Sequence, residues 1–362
     1  LTGPVMAKGA EDTAFYCYNR FIMLNEVGGD PSRFGTDVNT FYANMKQAAG
    51  SAKKPMRSTS THDTKRSEDV RMRLAVISEI PARWASFTKK AALNNDRYKR
   101  NGYPERNTEY HLYQTIVGAW PLSTERLLTC AEKAIREAKA FTSWTNQNQD
   151  YEGAVMDFIR SVMADEEFLA SVEHFVSEIL WAGRVNSLAQ TLIKMTVPGI
   201  PDFYQGTELW DLSLVDPDNR RPVDFDIRKA LLEELDTLTP TEIMNRMDDG
   251  LPKLHLIRTT MQFRKKHPSL FSMKAPFDPL TVSGGAARHV IAYTRACRLT
   301  IVVPRFVKKI EAGGWKDTKV NLSEGKWEHL FTGNTFSGGE ISVEKLLEEF
   351  PVALLLKGNG GR

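Results

Sequence analysis

Two adjacent side chains that could do chemistry, His62 and Asp63, stand in the polar run STSTHDTKRSED at residues 58–69. An imidazole beside a carboxylate can transfer a proton to a substrate or hydrogen-bond its hydroxyl groups. The same two residues can also satisfy local backbone groups, as Asp does in front of many helices. The pair by itself leaves both interpretations open.

A second polar cluster follows a short apolar run, residues 200–204, in the stretch TVPGIPDFYQGTELWD. The Pro-Gly before the run and the Gln-Gly after it predict a buried short strand that leads into a polar loop. Tyr204, Gln205 and Glu208 then stand after the strand, where the loops of a βα-barrel carry its chemistry. The alternative is that Tyr204 packs in the core while Glu208 forms a cap or an ion pair on the surface.

The acid-rich loop DPDNRRPVDFD, residues 216–226, does not fit a calcium site, because Arg220 and Arg221 occupy the positions of a ligand and of the turn glycine. Asp216, Asp218 and Arg220 instead offer donors and acceptors that suit a sugar or a carboxylate, and a solvated charged loop is the alternative. The sequence has no dinucleotide or phosphate-binding fingerprint. We therefore expect neither a metal nor a cofactor.

The composition argues against several classes of function. The 362 residues carry a net charge of +3 with basic and acidic residues interspersed, which gives no reason to expect a nucleic-acid or anionic-membrane partner. No apolar run approaches the roughly 20 residues of a membrane helix. The 3 cysteines are widely spaced without metal-ligand pairs, so we expect free or buried thiols and a cytoplasmic location.

The elements that must position these residues change in character along the chain. A helix is predicted from Ser67, because Ser67 can cap it and two acids fill its first turn. Residues 82–195 are predicted to be almost wholly helical, with apolar stripes such as that of TERLLTCAEKAIREAKAF. Beyond residue 275, short apolar runs between glycine-rich turns predict a small antiparallel sandwich.

Several of these stretches together resemble the maltooligosyltrehalose synthases of the α-amylase superfamily, glycoside hydrolase family 13. The matching segments lie between residues 3 and 226 and are GPVMAKGAEDTAFYCYNRF, LNEVGGDP, STHDTKRSEDVRMRLAVISE, EYHLYQTIVGAWP, TSWTNQNQ and PGIPDFYQGTELWDLSLVDPDNRRPVDF. The resemblance implies an α/β plus all-β fold: about the last three strands of a (β/α)8 TIM barrel with a large helical insertion, then a small antiparallel β-sandwich. The expected boundaries are 1–81 for the partial barrel, 82–195 for the insertion, 196–274 for the last strand, substrate loop and final helix, and 275–362 for the sandwich.

The resemblance also implies a reaction, that of a (1→4)-α-D-glucan 1-α-D-glucosylmutase. The reducing-end α-1,4 bond of a maltooligosaccharide becomes an α,α-1,1 bond, by means of a carboxylate nucleophile and a carboxylic acid about 5–5.5 Å apart. By resemblance Asp63 is a third carboxylate that stabilises the transition state, and His62 assists it in hydrogen-bonding the 2- and 3-hydroxyls of the reacting sugar. The product would pass to a maltooligosyltrehalose trehalohydrolase, the pathway partner that releases trehalose.

Residues that bind the glucan follow from the same resemblance. Lys8, in AKGAEDT, matches the lysine that holds the reducing-end glucose, and residues 20–30 would wall its pocket and exclude water. The other expected substrate-binding residues, of which the last three are carried over only as close to the glucan, are Arg66, Tyr204, Gln205, Glu208, Asp216, Asn219 and Arg220.

The family's nucleophile and acid belong to the fourth and fifth barrel strands, which precede the segment that matches here. We therefore expect a fragment without these two carboxylates, inactive by itself and able to self-associate through its incomplete barrel. Two other functions stay open, an α-glucan hydrolase with the same His-Asp motif and a non-catalytic glucan-binding or assembly module. Reducing sugar rises with hydrolysis and falls with trehalose formation, which separates the two enzymes.

Overall fold

The computed structural model describes residues 1–51 and 53–358, and it divides into two compact units that alternate along the chain. The first unit comprises Leu1–Phe34, Thr61–Gly183 and Leu212–Arg221, and the second comprises Gly35–Ser60, Arg184–Asp211 and Pro222–Arg362. The four-part division expected from the sequence remains a prediction. None of the described helices is long and apolar enough to cross a membrane.

The first unit is built from helices whose apolar stripes are buried, as the sequence predicts. In Thr124–Ala138 the stripe residues Leu127, Ala131 and Ile135 are at most 4% exposed. The helix begins where the Ser123 hydroxyl accepts a hydrogen bond from a backbone amide of the first turn. The α- and π-helical segments of this unit are Thr2–Pro4, the π-helix Val5–Ala14, Phe15–Cys17, Glu68–Ala75, Pro81–Asn95, Arg106–Ala119, Thr124–Ala138, Gln149–Val162 and the part of Glu166–Thr196 up to residue 183.

Aromatic rings join two of these helices within the first unit. The Phe87 ring lies 4.8 Å from that of Phe175, and the Trp84 ring lies 5.4 Å from the same phenylalanine. At the edge of this cluster Arg83 binds the Glu178 carboxylate at 2.7 Å. Ring pairs of this kind add to the free energy of apolar burial, so this unit has a core of its own.

In the second unit two short strands, β1 (Met56–Arg57) and β2 (Ile200–Pro201), form a parallel pair. Pro201 has no N–H, and Asp202 continues the pairing by donating to the Arg57 carbonyl over 3.0 Å. A two-residue pair covers little surface, and Ile200 is 50% exposed. The run that the sequence predicts as a buried strand is therefore short and half exposed. The barrel to which such a pair could belong stays a prediction.

The other seven strands of the second unit form one antiparallel sheet. Across the sheet their order is β3 (Phe277–Pro279), β5 (Val290–Arg295), β6 (Leu299–Pro304), β9 (Ala353–Lys357), β7 (Lys319–His329) and β4 (Val282–Ser283), with β8 (Thr335–Ser342) also paired to β7. The sequence predicted antiparallel strands here, and these are confirmed. The predicted division into two stacked sheets is replaced by one hydrogen-bonded sheet, because β7 pairs with β4, β8 and β9.

Side chains alternate between the two faces of a strand, and at the central strand β6 both faces are buried, whereas β7 has exposed residues between its buried ones. Ile301 and Val303 pack in a cluster with helix residues such as Leu192, whereas Val302 packs on the opposite face with Trp327. Burial on both faces explains why β6 is apolar at every position except Thr300. The helices of this unit are Val38–Ala49, the part of Glu166–Thr196 from residue 184, Phe225–Glu234, Pro240–Asn245, Leu251–Lys266, Val307–Gly313 and Val343–Leu346.

Candidate active site

The turn at residues 61–64 of the first unit presents His62 and Asp63 to solvent. Both residues are exposed, and the Asp63 side chain is 54% exposed. Threonines on either side fix the backbone: the Thr64 hydroxyl donates to the Thr61 carbonyl over 2.9 Å, and the Asp63 amide donates to the Thr61 hydroxyl over 3.2 Å. The two candidate side chains therefore stand on a closed turn and are accessible to a ligand.

The charged run after the turn is buried, although its composition is typical of a solvated start of a helix. Residues 64–69 range from 1% exposed at Glu68 to 6% exposed at Thr64. The helix Glu68–Ala75 begins here with Ser67 at its N-cap position, as predicted. Buried charges must be paired or hydrogen-bonded, so the partners of this run determine how the turn is held.

Arg66 is one of these buried charges, with 3% exposure. Its guanidinium donates to His111 Nε2 at 3.0 Å and to the Ile22 carbonyl at 3.4 Å. Burial lowers the pKa of Arg66, and burial together with the neighbouring guanidinium lowers the pKa of His111 to about 3. His111 is therefore a neutral acceptor, and Arg66 supports the segment after the turn from inside. Its expected contact with substrate stays a prediction.

Two lysines and two carboxylates form a chain of charges beside the turn. Lys8 lies 2.5 Å from Asp12, and the same carboxylate lies 3.1 Å from Lys65. Lys65 is 2% exposed and also lies 3.9 Å from Asp63. Burial raises the pKa of Asp12, but hydrogen bonds from both lysines outweigh it and hold that pKa below its ordinary value. Lys8 is thus connected to the Asp63 turn through two charged groups.

Glu26 is a site residue that the sequence reasoning did not single out. One carboxylate oxygen accepts from the Lys65 amide at 2.8 Å, and the other accepts from the Arg66 amide at 3.1 Å. Glu26 is 8% exposed. Two signals in the sequence point to it: it lies in the matching segment LNEVGGDP, and it is an acid one residue before a Gly-Gly turn.

From another direction the loop at residues 212–221 holds the same turn. The Ser67 amide donates to the Ser213 carbonyl over 3.0 Å. The Asn219 side-chain nitrogen donates to the His62 carbonyl over 3.0 Å. Asn219 is 8% exposed, and its side-chain oxygen has no hydrogen-bond partner among the described residues. Asn219 therefore contacts the backbone of the His-Asp pair directly, and its expected proximity to the glucan stays a prediction.

Asp218 anchors this loop and does not face solvent. It accepts two hydrogen bonds of 2.8 Å from Arg126 and one of 2.7 Å from the Leu214 amide. Burial raises the pKa of Asp218, but these bonds outweigh it and leave that pKa below its ordinary value. Asp216 and Arg220 pair with each other at 2.5 Å and are 34% and 56% exposed. Of the three residues considered as ligand-facing, Asp218 is a structural anchor and the other two are accessible.

The remaining expected site residues, Tyr204, Gln205 and Glu208, lie in the second unit, whereas the other seven lie in the first. The Glu208 carboxylate accepts from Arg228 of the helix Phe225–Glu234 at 3.2 Å, so it forms the ion pair that the sequence left open as an alternative. Among the residues that the structure describes, no cluster of three or more His, Cys, Asp or Glu could hold a metal ion.

Comparison with known proteins gives these residues a context. No family model matches the chain. A Mycobacterium tuberculosis protein described as a maltooligosyl trehalose synthase is 38% identical over 366 residues, covering 99% of this chain and 45% of that protein. The solved maltooligosyltrehalose synthase of Arthrobacter ramosus is 37% identical with a TM-score of 0.89, covering 99% of this chain and 46% of that one. The chain is a homologue of part of the maltooligosyltrehalose synthases.

A third relative of the synthase group agrees with this assignment. The solved Sulfolobus tokodaii protein, described as a hypothetical maltooligosyl trehalose synthase, is 32% identical with a TM-score of 0.81, covering 98% of this chain and 46% of that one. The chain thus spans slightly less than half the length of the synthases that it matches. The resemblance of its motifs to the synthases is confirmed by these matches along almost its whole length.

Proposed function

We propose that this chain supplies the substrate-holding part of a maltooligosyltrehalose synthase. The reaction is an intramolecular glucosyl transfer that converts the reducing-end α-1,4 bond of a maltooligosaccharide into an α,α-1,1 bond. The observation that supports it best is the exposed His62–Asp63 pair on a turn fixed by buried hydrogen bonds, in a chain 37% identical to the Arthrobacter ramosus synthase over 99% of its length.

Asp63 and His62 act on the sugar whose bond is cleaved. They hydrogen-bond its 2- and 3-hydroxyls, and these contacts strengthen as the ring flattens toward the oxocarbenium-like transition state. An interaction that is stronger in the transition state than in the ground state lowers the barrier and is therefore catalytic. The accessible position of both side chains on the turn at residues 61–64 supports this role.

In this proposal Lys8 holds the reducing-end glucose after its α-1,4 bond is cleaved. The same glucose then turns and attacks with its anomeric hydroxyl. The chain of charges from Lys8 through Asp12 and Lys65 to Asp63 supports this, because it ties the two ends of the cleaved bond to one network. Arg66 supports the turn from inside. Asp216 and Arg220 lie close to the glucan on the accessible loop, and the resemblance gives Tyr204, Gln205 and Glu208 as further substrate-binding residues.

The nucleophile and the acid are assigned here to the part of a synthase with which this chain does not align. The pair β1–β2 then belongs to the (β/α)8 barrel completed by that part. The whole enzyme would take a glucan as its substrate. Its product would in turn be a substrate for a trehalohydrolase. The 362 residues alone are expected to bind a maltooligosaccharide without converting it.

The test uses maltopentaose with two samples: the 362-residue chain alone, and a chimera in which it replaces the matched half of the Arthrobacter ramosus synthase. The native synthase is the control. Of the two samples, only the chimera is expected to give trehalose-ended product and a fall in reducing sugar. A rise in reducing sugar from the chimera indicates a glucan hydrolase. Binding without turnover in both samples indicates a non-catalytic module, and trehalose-ended product from the chain alone overturns the assignment of the nucleophile to another segment.

A further inference from the structure

We propose that Glu26 is a positioning residue that sets the orientation of the Asp63 carboxylate, and that the motif NEVGG exists to place it. The proposal rests on the proposed function, because positioning matters only if Asp63 acts on the substrate. Glu26 itself lies at the back of the turn and makes no contact with the exposed side chains among the described hydrogen bonds.

The Glu26 carboxylate binds two consecutive backbone amides, those of Lys65 and Arg66, and we call this contact the grip. The oxygens of Glu26 accept from the Lys65 amide at 2.8 Å and from the Arg66 amide at 3.1 Å. Hydrogen bonds to a charged acceptor are about twice as strong as neutral ones. Lys65 is two residues beyond Asp63, so a grip on both amides fixes the direction in which the chain leaves the turn.

The neighbours of Glu26 explain the rest of the motif. The Asn25 side chain donates to the Phe15 and Tyr18 carbonyls, each at 2.8 Å, which fixes the start of the motif. Gly28 has φ +73°, a conformation that residues with a side chain rarely adopt. A Cβ added at Gly29 would lie 2.8 Å from the Glu26 carbonyl oxygen. Only glycine therefore permits the tight turn that carries Glu26.

The grip complements the contact from Asn219 to the His62 carbonyl. The turn is held at its first half by an amide donor and just beyond its end by a carboxylate acceptor. Asp63 lies between these two fixed points, and its side chain, which is 54% exposed, also lies 3.9 Å from the buried Lys65 ammonium. Loss of either point lets the turn shift, and a displacement of about 1 Å can cost about 100-fold in rate.

The test combines two variants with matched controls. Glu26→Gln keeps the shape and one acceptor oxygen but turns an N–H group toward the Arg66 amide. Gly29→Ala leaves the carboxylate intact and moves the turn that carries it. The controls are Glu105→Gln, a carboxylate that accepts from the Thr108 amide at 3.1 Å elsewhere in the first unit, and Gly35→Ala, whose Cβ meets nothing within 4 Å.

Amide exchange tests whether Glu26 holds the two amides, and the kinetics of the chimera test whether this contact positions Asp63 for turnover. Amide hydrogen exchange of the 362-residue chain is expected to speed up about tenfold at Lys65 and Arg66 in both variants and to stay unchanged there in both controls. In the chimera with the Arthrobacter ramosus synthase, kcat is expected to fall about 10- to 100-fold with KM changed less than about threefold.

Each outcome decides one point. Unchanged exchange at Lys65 and Arg66 overturns the grip, whatever the chimera does. Faster exchange with unchanged kcat, or with kcat and KM altered in the same proportion, overturns the positioning role. An inactive chimera carrying the native sequence contradicts the proposed function and with it the positioning role, while the exchange result still decides whether Glu26 holds the turn.

Discussion

The side-chain nitrogen of Asn219 donates to the backbone carbonyl of His62 over 3.0 Å, across 157 positions of sequence. The same nitrogen lies 3.4 Å from the Thr61 carbonyl. Two carbonyls of the turn therefore depend on one amide from the loop at residues 212–221. The loop that the sequence assigns to the glucan is also a structural support of the His-Asp pair.

Replacement of Asn219 by Asp should destabilise the first unit and weaken maltopentaose binding. The shape is kept, but an acceptor then faces the two carbonyls of the turn, and a lost buried hydrogen bond costs about 1–3 kcal/mol. Urea unfolding and calorimetric titration of the 362-residue chain measure the two effects. Asn321→Asp, at an exposed strand position, is the control. Equal stability of both variants would show that the contact with His62 carries no weight.

Asp63→Asn should reduce turnover far more than substrate binding. The change preserves shape but removes the charge that stabilises the flattened sugar ring, an effect worth several kcal/mol or about 100-fold and more in kcat. Steady-state kinetics of the chimera on maltopentaose check it, with the exposed Asp150→Asn as the control. A parallel loss in kcat and in binding, or no loss, would return Asp63 to the role of a backbone cap.

Asp218 should contribute to the acid sensitivity of the chain. Its pKa in the folded state lies below the ordinary value of about 3.9, so its contribution to stability is complete above that value and disappears as pH falls through the folded pKa. Asp218→Asn removes this contribution, so the variant should be less stable near neutrality and should lose less stability below about pH 4. Urea midpoints recorded between pH 2 and 7 test this slope, and an unchanged slope contradicts it.

His329 should make the second unit lose stability at a higher pH than that at which Asp218 acts. Burial lowers its pKa to about 4, compared with about 6.5 in an unfolded chain. The unfolded state then binds the proton more readily between these values, so stability falls by roughly 3 kcal/mol as pH drops from 6.5 to 4 and levels off below. The pKa of the nearby His255 is also lowered by burial, and it acts in the same direction.

His329→Gln tests this, because glutamine can accept from the Phe331 amide, as His329 Nδ1 does over 3.2 Å, and cannot be protonated. The variant should show a flatter dependence of unfolding free energy on pH between 4 and 6.5. The exposed His267→Gln serves as the control for the replacement of a histidine by glutamine. The same slope in the His329 variant and the native chain would mean that other groups carry the effect.

Several features of the fold could be predicted from local patterns. Ser67 stands at the N-cap of Glu68–Ala75, and the stripe of Thr124–Ala138 is buried, because capping and helical periodicity involve residues only a few positions apart. The strands β5, β6 and β9 followed from their composition in the same way. The single seven-stranded sheet could not be predicted in this way, because strand pairing joins segments that are distant in the sequence. A strand that is buried on both faces fits a sandwich as well as one sheet covered on both sides.

The candidate site also has one part that the sequence predicted and another that it could not predict. The exposed pair His62–Asp63 was predicted from its motif, and the comparisons leave its role a proposal. The grip of Glu26 on Lys65 and Arg66 could not be predicted, because its hydrogen bonds span 39 and 40 positions of sequence. An isolated glutamate in a glycine-rich turn gives no sign of which amides it will meet.

The sequence by itself determined the local structure around the site and the kinship of the chain to the synthases, because caps, turns, periodicity and motifs are properties of neighbouring residues. Only the tertiary structure decided that Lys65 and Arg66 are buried while Asp63 remains exposed. The physical reason is that the cost of burying a charge depends on the partners that distant segments bring to it, here Asp12 for Lys65 and His111 for Arg66.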